Sequence, residues 1–355
     1  MKKISLFVAL VVAVFTLSAC SNQETLYVLN WGEYMDPELV ELFEDTYDVR
    51  VVYETVGSNE EMELKIKQNI TAYDIVIPSD YMIDKLNQEG LLNEIDFSLL
   101  SNYDESTIFQ DAKDLYEDES FGNHMIPYFF GTIGIMYNTE NAAVAEALEA
   151  DGMCALFDED SPFNIGMYDS PRDAVAAALI CLGYPVNTTD ETELQEAEDL
   201  LRNANILRFG EDDLKGDVAL GSLDMALVYS GDYFEMLFVY EEEEETINFD
   251  YYNPVHTNIW IDAFVIPTTS ENTDLAHQFI DFFLDTDNAV QNADWVGYTP
   301  VIEAVYTIMV EDYEYDYEHY YPQPEGHTRE AYRYISTEHS NKLNEILNRA
   351  KLNEN

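Results

Sequence analysis

Aromatic side chains and carboxylates recur together along this sequence, mostly where a strand is predicted to end or a helix to begin. Trp31, Glu33 and Tyr34 form one such group, and Ser79 with Tyr81 forms another. Flat rings hold methylene chains and attract cations to their faces, while carboxylates hold ammonium groups. These residue types together predict a binding site for an organic cation.

The second half of the sequence carries matching groups. The candidates there are Asp173, Tyr229, Asp232, Trp260, Asp262 and Tyr298. Trp260 and Asp262 lie two residues apart on a predicted strand, so their side chains should point to the same face. An unpaired carboxylate on an otherwise apolar strand is costly, which makes Asp262 the strongest single candidate.

The N-terminal third alternates predicted strands with predicted helices. Strands are expected over residues 25–29, 49–56 and 73–78. Helices are expected to begin after Asp36-Pro37, at a capping box opened by Ser58, and at Ser79. This order predicts a parallel, doubly wound sheet, in which ligands bind beyond the carboxyl ends of the strands. Trp31 and Ser79 follow the first and third strands and should meet there.

The remainder predicts a second lobe. The apolar run at residues 126–138 would carry the chain into it, and strand 258–267 could return. Further strands are expected at 164–168 and 225–229, with helices at 171–182, 191–203 and 275–284. The acidic run at 241–245 is interpreted as a solvated loop or helix end. We find no internal repeat.

The N-terminus predicts export and lipidation. Lys2 and Lys3 precede a 13-residue apolar run at 4–16, which has signal-peptide length and is too short for a comfortable membrane span. The segment then ends in Leu17-Ser18-Ala19-Cys20, which resembles a bacterial lipobox. That resemblance implies cleavage before Cys20 and diacylglycerol on its thiol.

The charge balance excludes one class of partner. The 71 acidic residues against 16 basic ones give a formal net charge of −55, which repels nucleic acid and anionic membranes. Such a field draws cations toward a concave site, although a solvated surface accounts for most of it. Two cysteines remain after cleavage: Cys181 is interpreted as a small buried hydrophobic residue, and a disulfide with Cys154 is permitted but not favoured.

Five short sequence motifs, which follow one another in the same order as in a known family, give the sequence its resemblance to that family. They are Leu29-Asn30-Trp31-Gly32-Glu33-Tyr34, Ile77-Pro78-Ser79-Asp80-Tyr81, Asp169-Ser170-Pro171-Arg172-Asp173, Trp260-Ile261-Asp262 and Gly297-Tyr298-Thr299-Pro300. From about residue 25 to the C-terminus, the chain resembles the spermidine/putrescine-binding proteins of bacterial polyamine importers. The resemblance implies a two-lobed α/β fold of the type II periplasmic-binding-protein kind. Each lobe would be a mostly parallel sheet flanked by helices, and crossover strands would join the two.

The resemblance also implies boundaries and roles. A signal peptide would cover residues 1–19, lobe 1 residues 20–128 and 262–305, and lobe 2 residues 129–261 and 306–355. The ligand residues carried over are Trp31, Glu33, Tyr34, Ser79, Tyr81, Asp173, Tyr229, Asp232, Trp260, Asp262 and Tyr298. The implied protein is a monomer, lipid-anchored on the outer face of the cell membrane, that delivers putrescine or spermidine to an ABC permease. No cofactor, metal or catalytic residue is expected.

Four positions bear on how closely the chain follows the family pattern. Tyr229 stands where many members have tryptophan, which keeps the aromatic role with a smaller ring. Ser170 stands where some spermidine-preferring members have aspartate. Glu33 and Asp232 are acidic where putrescine-preferring members tend to be acidic. The residues at positions 170, 33 and 232 move the pattern toward the shorter diamine without deciding between the ligands.

Two other functions stay open at this point. A ferric-ion binding protein shares the architecture and would use tyrosines, and Tyr320-Tyr321 and Tyr251-Tyr252 lie near His319 and His256 in sequence. An extracellular hydrolase would need a nucleophile elbow, a zinc-type histidine pair or a Ser-His-Asp set, none of which is evident. The pair Asp158 and Asp160 could serve a glycosidase, but such pairs arise by chance in a chain this acidic.

Overall fold

The computed structural model describes residues 23–116, 123–313, 315, 317–322 and 324–352. The predicted signal segment and the lipidation candidate Cys20 lie outside the described residues, so their roles stay predictions. Among the residues described, no helix has the length and apolar character needed to cross a membrane.

The element order alternates strands and helices, as predicted. The strands are β1 (Glu24–Asn30), β2 (Val49–Thr55), β3 (Ile75–Val76), β4 (Ile126–Gly131), β5 (Ile133–Asn138), β6 (Ile165–Tyr168), β7 (Ile206–Gly210), β8 (Met225–Tyr229), β9 (Phe249–Tyr252), β10 (His256–Phe264), β11 (Thr299–Pro300) and β12 (Thr328–Ala331). The α-helices are α1 (Pro37–Tyr47), α2 (Asn59–Gln68), α3 (Asp80–Gln88), α4 (Gln110–Tyr116), α5 (Ala142–Asp151), α6 (Pro171–Leu182), α7 (Glu191–Asn203), α8 (Asp213–Ala219), α9 (Ser230–Glu242), α10 (Thr273–Leu284), α11 (Thr286–Val296), α12 (Glu303–Glu311), α13 (Tyr317–Tyr320) and α14 (Thr337–Lys351).

The first sheet is parallel, with strand order β2-β1-β3. Its helices begin where the sequence predicts: the Asp36 side chain accepts from the Glu38 N–H, and Ser58 Oγ accepts from the Glu61 N–H. Strand β3 is shorter than the predicted 73–78, because the buried Asp74 side chain takes up backbone N–H groups of Tyr27 and of residues 271–272. The order still brings the ends of β1 and β3 to one edge.

A second sheet, of order β11-β4-β10-β12, adjoins the first. Strand β10 runs antiparallel to β4 and parallel to β12, and its register shifts between Asp262 and Ala263. Isolated bridges join Ser79 to Asp262 and Val76 to Val265, which link this strand to the first sheet. Asp262 therefore lies between the two sheets, directly beside the segment that follows β3.

The third sheet has the order β7-β6-β8-β5-β9. Its β6 is parallel to β7 and β8, whereas β5 is antiparallel to β8 and β9. Helices α6, α7 and α14 pack together against it. The apolar run 126–138 thus forms two strands, broken at Thr132. The architecture is mixed α/β with helices flanking the sheets, in agreement with the predicted fold class.

One packing interpretation was wrong. Cys181 is not a free buried residue: a disulfide joins it to Cys154, whose 3-10 segment (Gly152–Phe157) packs on helix α6 and brings the two Cα atoms within 4.8 Å. The acidic run is confirmed as a helix end, since α9 ends within it and residues 241 and 243–245 are exposed.

Candidate ligand-binding site

Asp262 is buried among polar side chains that face it. Burial raises the pKa of its carboxyl to about 7, although hydrogen-bonding contacts from Ser79, Tyr34 and Trp31 act to lower it. Asp262 Oδ1, Tyr34 OH and Trp31 Nε1 are nevertheless buried without a hydrogen bond of regular geometry. Buried polar atoms without partners are costly, and a positively charged N–H donor would satisfy the Asp262 oxygen, whereas Trp31 Nε1 can only donate.

An aromatic wall extends from this cluster. The ring centroid of Tyr34 lies 5.4 Å from that of Tyr298, which lies 5.4 Å from that of Trp260. Trp260 in turn meets Tyr229 edge-on at 5.9 Å. The four rings come from the loop after β1 and from β8, β10 and the turn after α11. The predicted aromatic residues are thereby brought into one continuous surface.

Two glycines make room for this wall. A Cβ on Gly131 would lie 2.6 Å from Trp260 Cζ2, and a Cβ on Gly231 would lie 2.3 Å from Tyr298 Cδ2. Both distances are too short for real contacts, so the two rings can close over the backbone only because these positions have no side chain.

Asp173 lies in the first turn of α6, buried beside two phenols. Its Oδ2 accepts from Tyr229 OH at 2.8 Å, and its Oδ1 accepts from Tyr332 OH at 2.9 Å. Sequence reasoning missed Tyr332, which follows β12. No motif surrounds it, and the contact spans 159 residues of chain. Asp173 is therefore held at the far end of the aromatic wall from Asp262.

Asp232 is held differently, because it has a cation of the chain beside it. Its Oδ2 accepts from the Tyr229 backbone N–H at 2.8 Å, and its Oδ1 accepts from Tyr298 OH at 3.1 Å. Lys215 Nζ lies 3.6 Å from the same Oδ1 and 2.5 Å from Glu235 Oε2. Burial raises the pKa of Asp232, while Lys215 acts to lower it. Sequence reasoning missed Lys215, which lies in the short helix α8 and belongs to no recognised motif.

Ser79 and Tyr81 begin helix α3 at the edge of the first sheet. Asn59 Nδ2 donates to Ser79 Oγ at 3.0 Å, which fixes the hydroxyl next to Asp262. The ring of Tyr81 lies beneath the Arg172 guanidinium, with 3.9 Å between the Arg172 Cζ atom and the ring centroid. Both predicted residues thus border the cluster.

A further buried carboxylate, Asp80, lies between Ser79 and Tyr81. Its Oδ2 has no hydrogen-bond partner among the described residues. Burial raises its pKa to about 7, and the nearby charge of Asp262 adds to the rise. The sequence placed this acid inside a recognised motif, but an acid in the first turn of a helix is so common that it was not singled out.

Glu33 is the predicted residue that the structure does not bring into the enclosed cluster. It is exposed, and its φ of 46° places the backbone in the left-handed region, which turns it away from Trp31 and Tyr34. Its charge still acts on Glu235, whose pKa is raised to about 7, chiefly by burial. Glu33 therefore lies at the rim.

The tyrosine pair considered for iron points in different directions. Tyr320 OH donates to the Tyr298 carbonyl at 3.0 Å, whereas Tyr321 OH donates to Asp111 Oδ2 at 2.6 Å. In the part of the chain that the structure describes, no group of three or more His, Cys, Asp or Glu side chains could hold a metal ion.

Comparison with known proteins finds a matching family and relatives that are binding proteins. The family described as bacterial extracellular solute-binding protein matches residues 38–318. The spermidine/putrescine-binding periplasmic protein of Escherichia coli is 31% identical over 288 residues, which are 80% of this chain and 79% of that protein.

Solved structures with a similar fold include proteins whose names contain PotD. The spermidine/putrescine ABC transporter substrate-binding protein PotD from Streptococcus pneumoniae superposes with a TM-score of 0.74 at 31% identity, covering 94% of this chain and 100% of that one. The Tp0655 (TpPotD) lipoprotein of Treponema pallidum gives a TM-score of 0.73 at 25% identity, covering 92% and 99%.

Proposed function

The chain belongs to the bacterial extracellular solute-binding proteins, a family of binding proteins and not of enzymes, and from this we propose that it binds putrescine or spermidine for an ABC importer. The observation that carries the proposal is the Asp262 cluster: a buried carboxylate whose Oδ1 has no hydrogen bond of regular geometry, next to a wall of rings. The printed names of the relatives support the same ligand class.

The geometry suits a flexible organic cation. One ammonium group would lie against Asp262 and donate to its Oδ1, while methylenes lie along Trp260 and Tyr298. A second ammonium would approach Asp173 beside Tyr229. An ion pair at about 4 Å is worth roughly 4 kcal/mol at an effective dielectric near 20, before desolvation, and each cation–ring contact about 0.5–2 kcal/mol. A micromolar ligand needs only about 8 kcal/mol in total.

Capture would proceed by closure of two lobes over the ligand. Lobe 1 would comprise residues 20–128 and 262–305, and lobe 2 residues 129–261 and 306–355. Asp262 and Asp173 would belong to opposite lobes, so one ligand touching both would favour the closed form. The permease would recognise that closed shape, and the protein would act as a monomer.

A lipid on Cys20 would hold the protein at the outer face of the membrane. Exchange of Cys20 for alanine should abolish labelling by radioactive palmitate and release the protein from cells into the medium. Labelling that persists in this variant would contradict the anchor and leave ligand binding untouched.

Calorimetric titration of the purified protein with putrescine, cadaverine, spermidine and spermine tests the ligand assignment directly. We expect micromolar or tighter binding of at least one of the four, and loss of that binding in Asp262→Asn. Failure of all four to bind the wild-type protein would reject the proposal. Visible tyrosinate absorption on addition of ferric ion would favour the iron-binding alternative.

A further inference from the structure

Lys215 places an ammonium group of the chain itself inside the candidate site. The residue is only 8% exposed, and its Nζ bridges Asp232 and Glu235 at 3.6 and 2.5 Å. Burial lowers the pKa of a lysine, but here the two carboxylates outweigh burial and raise it. Lys215 is therefore charged at neutral pH.

Both oxygens of the Asp232 carboxylate have partners within the protein, and one of these partners is a cation. One oxygen accepts the Tyr229 N–H, and the other accepts Tyr298 OH and faces Lys215. An ammonium group of a ligand would have to displace one of these partners or lie beside Lys215, and two like charges in a buried site repel each other.

Asp173 and Asp262 differ from Asp232 in the kind of partner that their carboxylates have. The partners found for Asp173 are two neutral phenols, and Asp262 Oδ1 has no regular hydrogen bond among the described residues. These two carboxylates lie at opposite ends of the aromatic wall formed by Tyr34, Tyr298, Trp260 and Tyr229. Asp173, Asp262 and the neighbouring Asp80 therefore have no cationic partner at hydrogen-bond distance among the described residues, whereas Asp232 already has Lys215 as its counter-ion.

We infer that Lys215 is a specificity-determining residue: it acts as a built-in cation that neutralises Asp232, so that the site accepts an alkyl diamine in preference to a triamine. The inference rests on the proposed polyamine-binding function and deepens it. Other charges facing this position are Asp212, which acts on Asp232, and Glu33, which acts on Glu235. Removal of the Lys215 charge would leave the Asp232 carboxylate without its counter-ion, so that it could hold a third ammonium group of the ligand.

The test measures the ratio of the putrescine and spermidine dissociation constants by calorimetry. Lys215→Met keeps the apolar stem and removes the charge, whereas Lys215→Arg keeps the charge. Lys67→Met is the matched control, because Lys67 also bridges two carboxylates, Glu63 and Glu89, each at 2.6 Å, but lies on α2 away from the aromatic wall. The double variant Lys215→Met/Glu235→Gln removes the Asp–Glu repulsion and keeps the test available if Lys215→Met does not fold.

We expect the wild-type protein to prefer putrescine. In Lys215→Met, or in the double variant, the ratio should move toward spermidine by at least about tenfold, equivalent to about 1.4 kcal/mol. Lys67→Met should stay within about threefold of wild type, whereas Lys215→Arg, which keeps the charge, should not move the ratio toward spermidine. A ratio that does not move in either charge-removing variant, or a wild-type preference for spermidine, would overturn the inference while polyamine binding stands. Absence of binding of either ligand to the wild-type protein would instead reject the function on which it rests.

Discussion

The guanidinium of Arg172, on helix α6, lies over the ring of Tyr81, on helix α3, with its Cζ atom 3.9 Å from the ring centroid. The same group lies 5.3 Å from the ring centroid of Tyr332. This contact ties the first sheet to the helices that cover the third, next to Asp173. It forms part of the enclosure around the candidate site.

Loss of this contact should weaken ligand binding. Arg172→Ala removes cation–ring contacts worth about 0.5–2 kcal/mol, so we expect polyamine affinity to fall by roughly 2- to 30-fold, mainly through faster dissociation. Stopped-flow and calorimetric measurements would show this. Arg202→Ala, an arginine paired with Glu198 on helix α7, serves as control and should bind normally. Equal dissociation rates in both variants would rule out a role for Arg172 in enclosure.

Removal of the Asp262 charge should have opposite effects on binding and on stability. Asp262→Asn takes away the counter-ion of a buried ammonium, so polyamine affinity should fall by about 2–5 kcal/mol. The same change removes a buried charge from the ligand-free protein, which should gain about 2–4 kcal/mol in unfolding free energy at pH 8. Asp281→Asn, on helix α10 where the carboxylate accepts from Ser101 and Asn102, is the control for binding. Normal binding by Asp262→Asn would disprove the assignment of this residue.

Polyamine affinity should increase with pH. Burial raises the pKa of Asp262 from 3.8 to about 7 without ligand, and a bound ammonium favours the ionised form and lowers it again. Binding therefore releases a proton, and affinity should fall by up to about tenfold per pH unit below pH 7 while the ligand amines stay charged. Titration in buffers of different ionisation enthalpy measures the proton directly. Affinity that is flat from pH 5.5 to 8 would contradict the raised pKa.

The pH dependence of ligand-free stability has the opposite sign. The folded-state pKa of Asp262 and of Asp80 lies above the unfolded value near 3.8, so the folded protein holds their protons more tightly. Their contribution to stability is present below pH 4 and is lost as pH rises toward 7. Urea unfolding of wild type and Asp262→Asn should therefore give curves that diverge over this interval. Parallel curves would show that Asp262 titrates normally.

Gly231 should not tolerate a side chain. In Gly231→Ala the new Cβ would lie 2.3 Å from Tyr298 Cδ2, so the ring must move and its hydrogen bond to Asp232 is strained. We expect a loss of about 1–3 kcal/mol in stability together with weaker binding. In Gly216→Ala the Cβ meets nothing within 4 Å, and this helical exchange should stabilise the protein by about 0.5–1 kcal/mol. Thermal unfolding of both variants gives the comparison, and equal changes would argue against the steric explanation.

The disulfide should contribute to stability but not to binding. Cys154 and Cys181 are 27 residues apart, and closure of a loop of that length is worth about 3–4 kcal/mol in the chain-entropy view. The double exchange to alanine should lower unfolding free energy by a similar amount, as should reduction of wild type. Polyamine affinity should persist below the new melting temperature. A loss of affinity under those conditions would show that the bond also positions α6.

Local sequence signals predicted the elements where caps were strong. Helix α6 has the predicted bounds, because Ser170 caps it, proline occupies its first turn and Gly183 ends it at a φ of 75°. The two-residue spacing of Trp260 and Asp262 also predicted that their side chains share one face of β10, since strand geometry leaves little choice of face. Helix capping and strand alternation are both set by residues that are close together in sequence, so they could be predicted from the sequence.

Tertiary packing explains what the sequence did not reveal. Lys215 and Tyr332 reach the site from a short helix and from the end of an edge strand, and neither carries a local motif. The extended run at 73–78 was shortened by Asp74, whose side chain binds backbone groups far away in sequence. Glu33 followed two site residues in sequence, but a left-handed backbone turned it outward.

The Asp262 oxygen without a regular hydrogen bond also bears on how a transport cycle would avoid ATP hydrolysis without a transported ligand. Without a bound cation, this buried carboxylate raises the free energy of the closed conformation. The ligand-free protein should therefore populate mainly the open conformation. A permease that responds only to the shut form would then seldom engage an empty carrier. We expect the same negative charge that retains the cargo to prevent futile rounds of ATP hydrolysis.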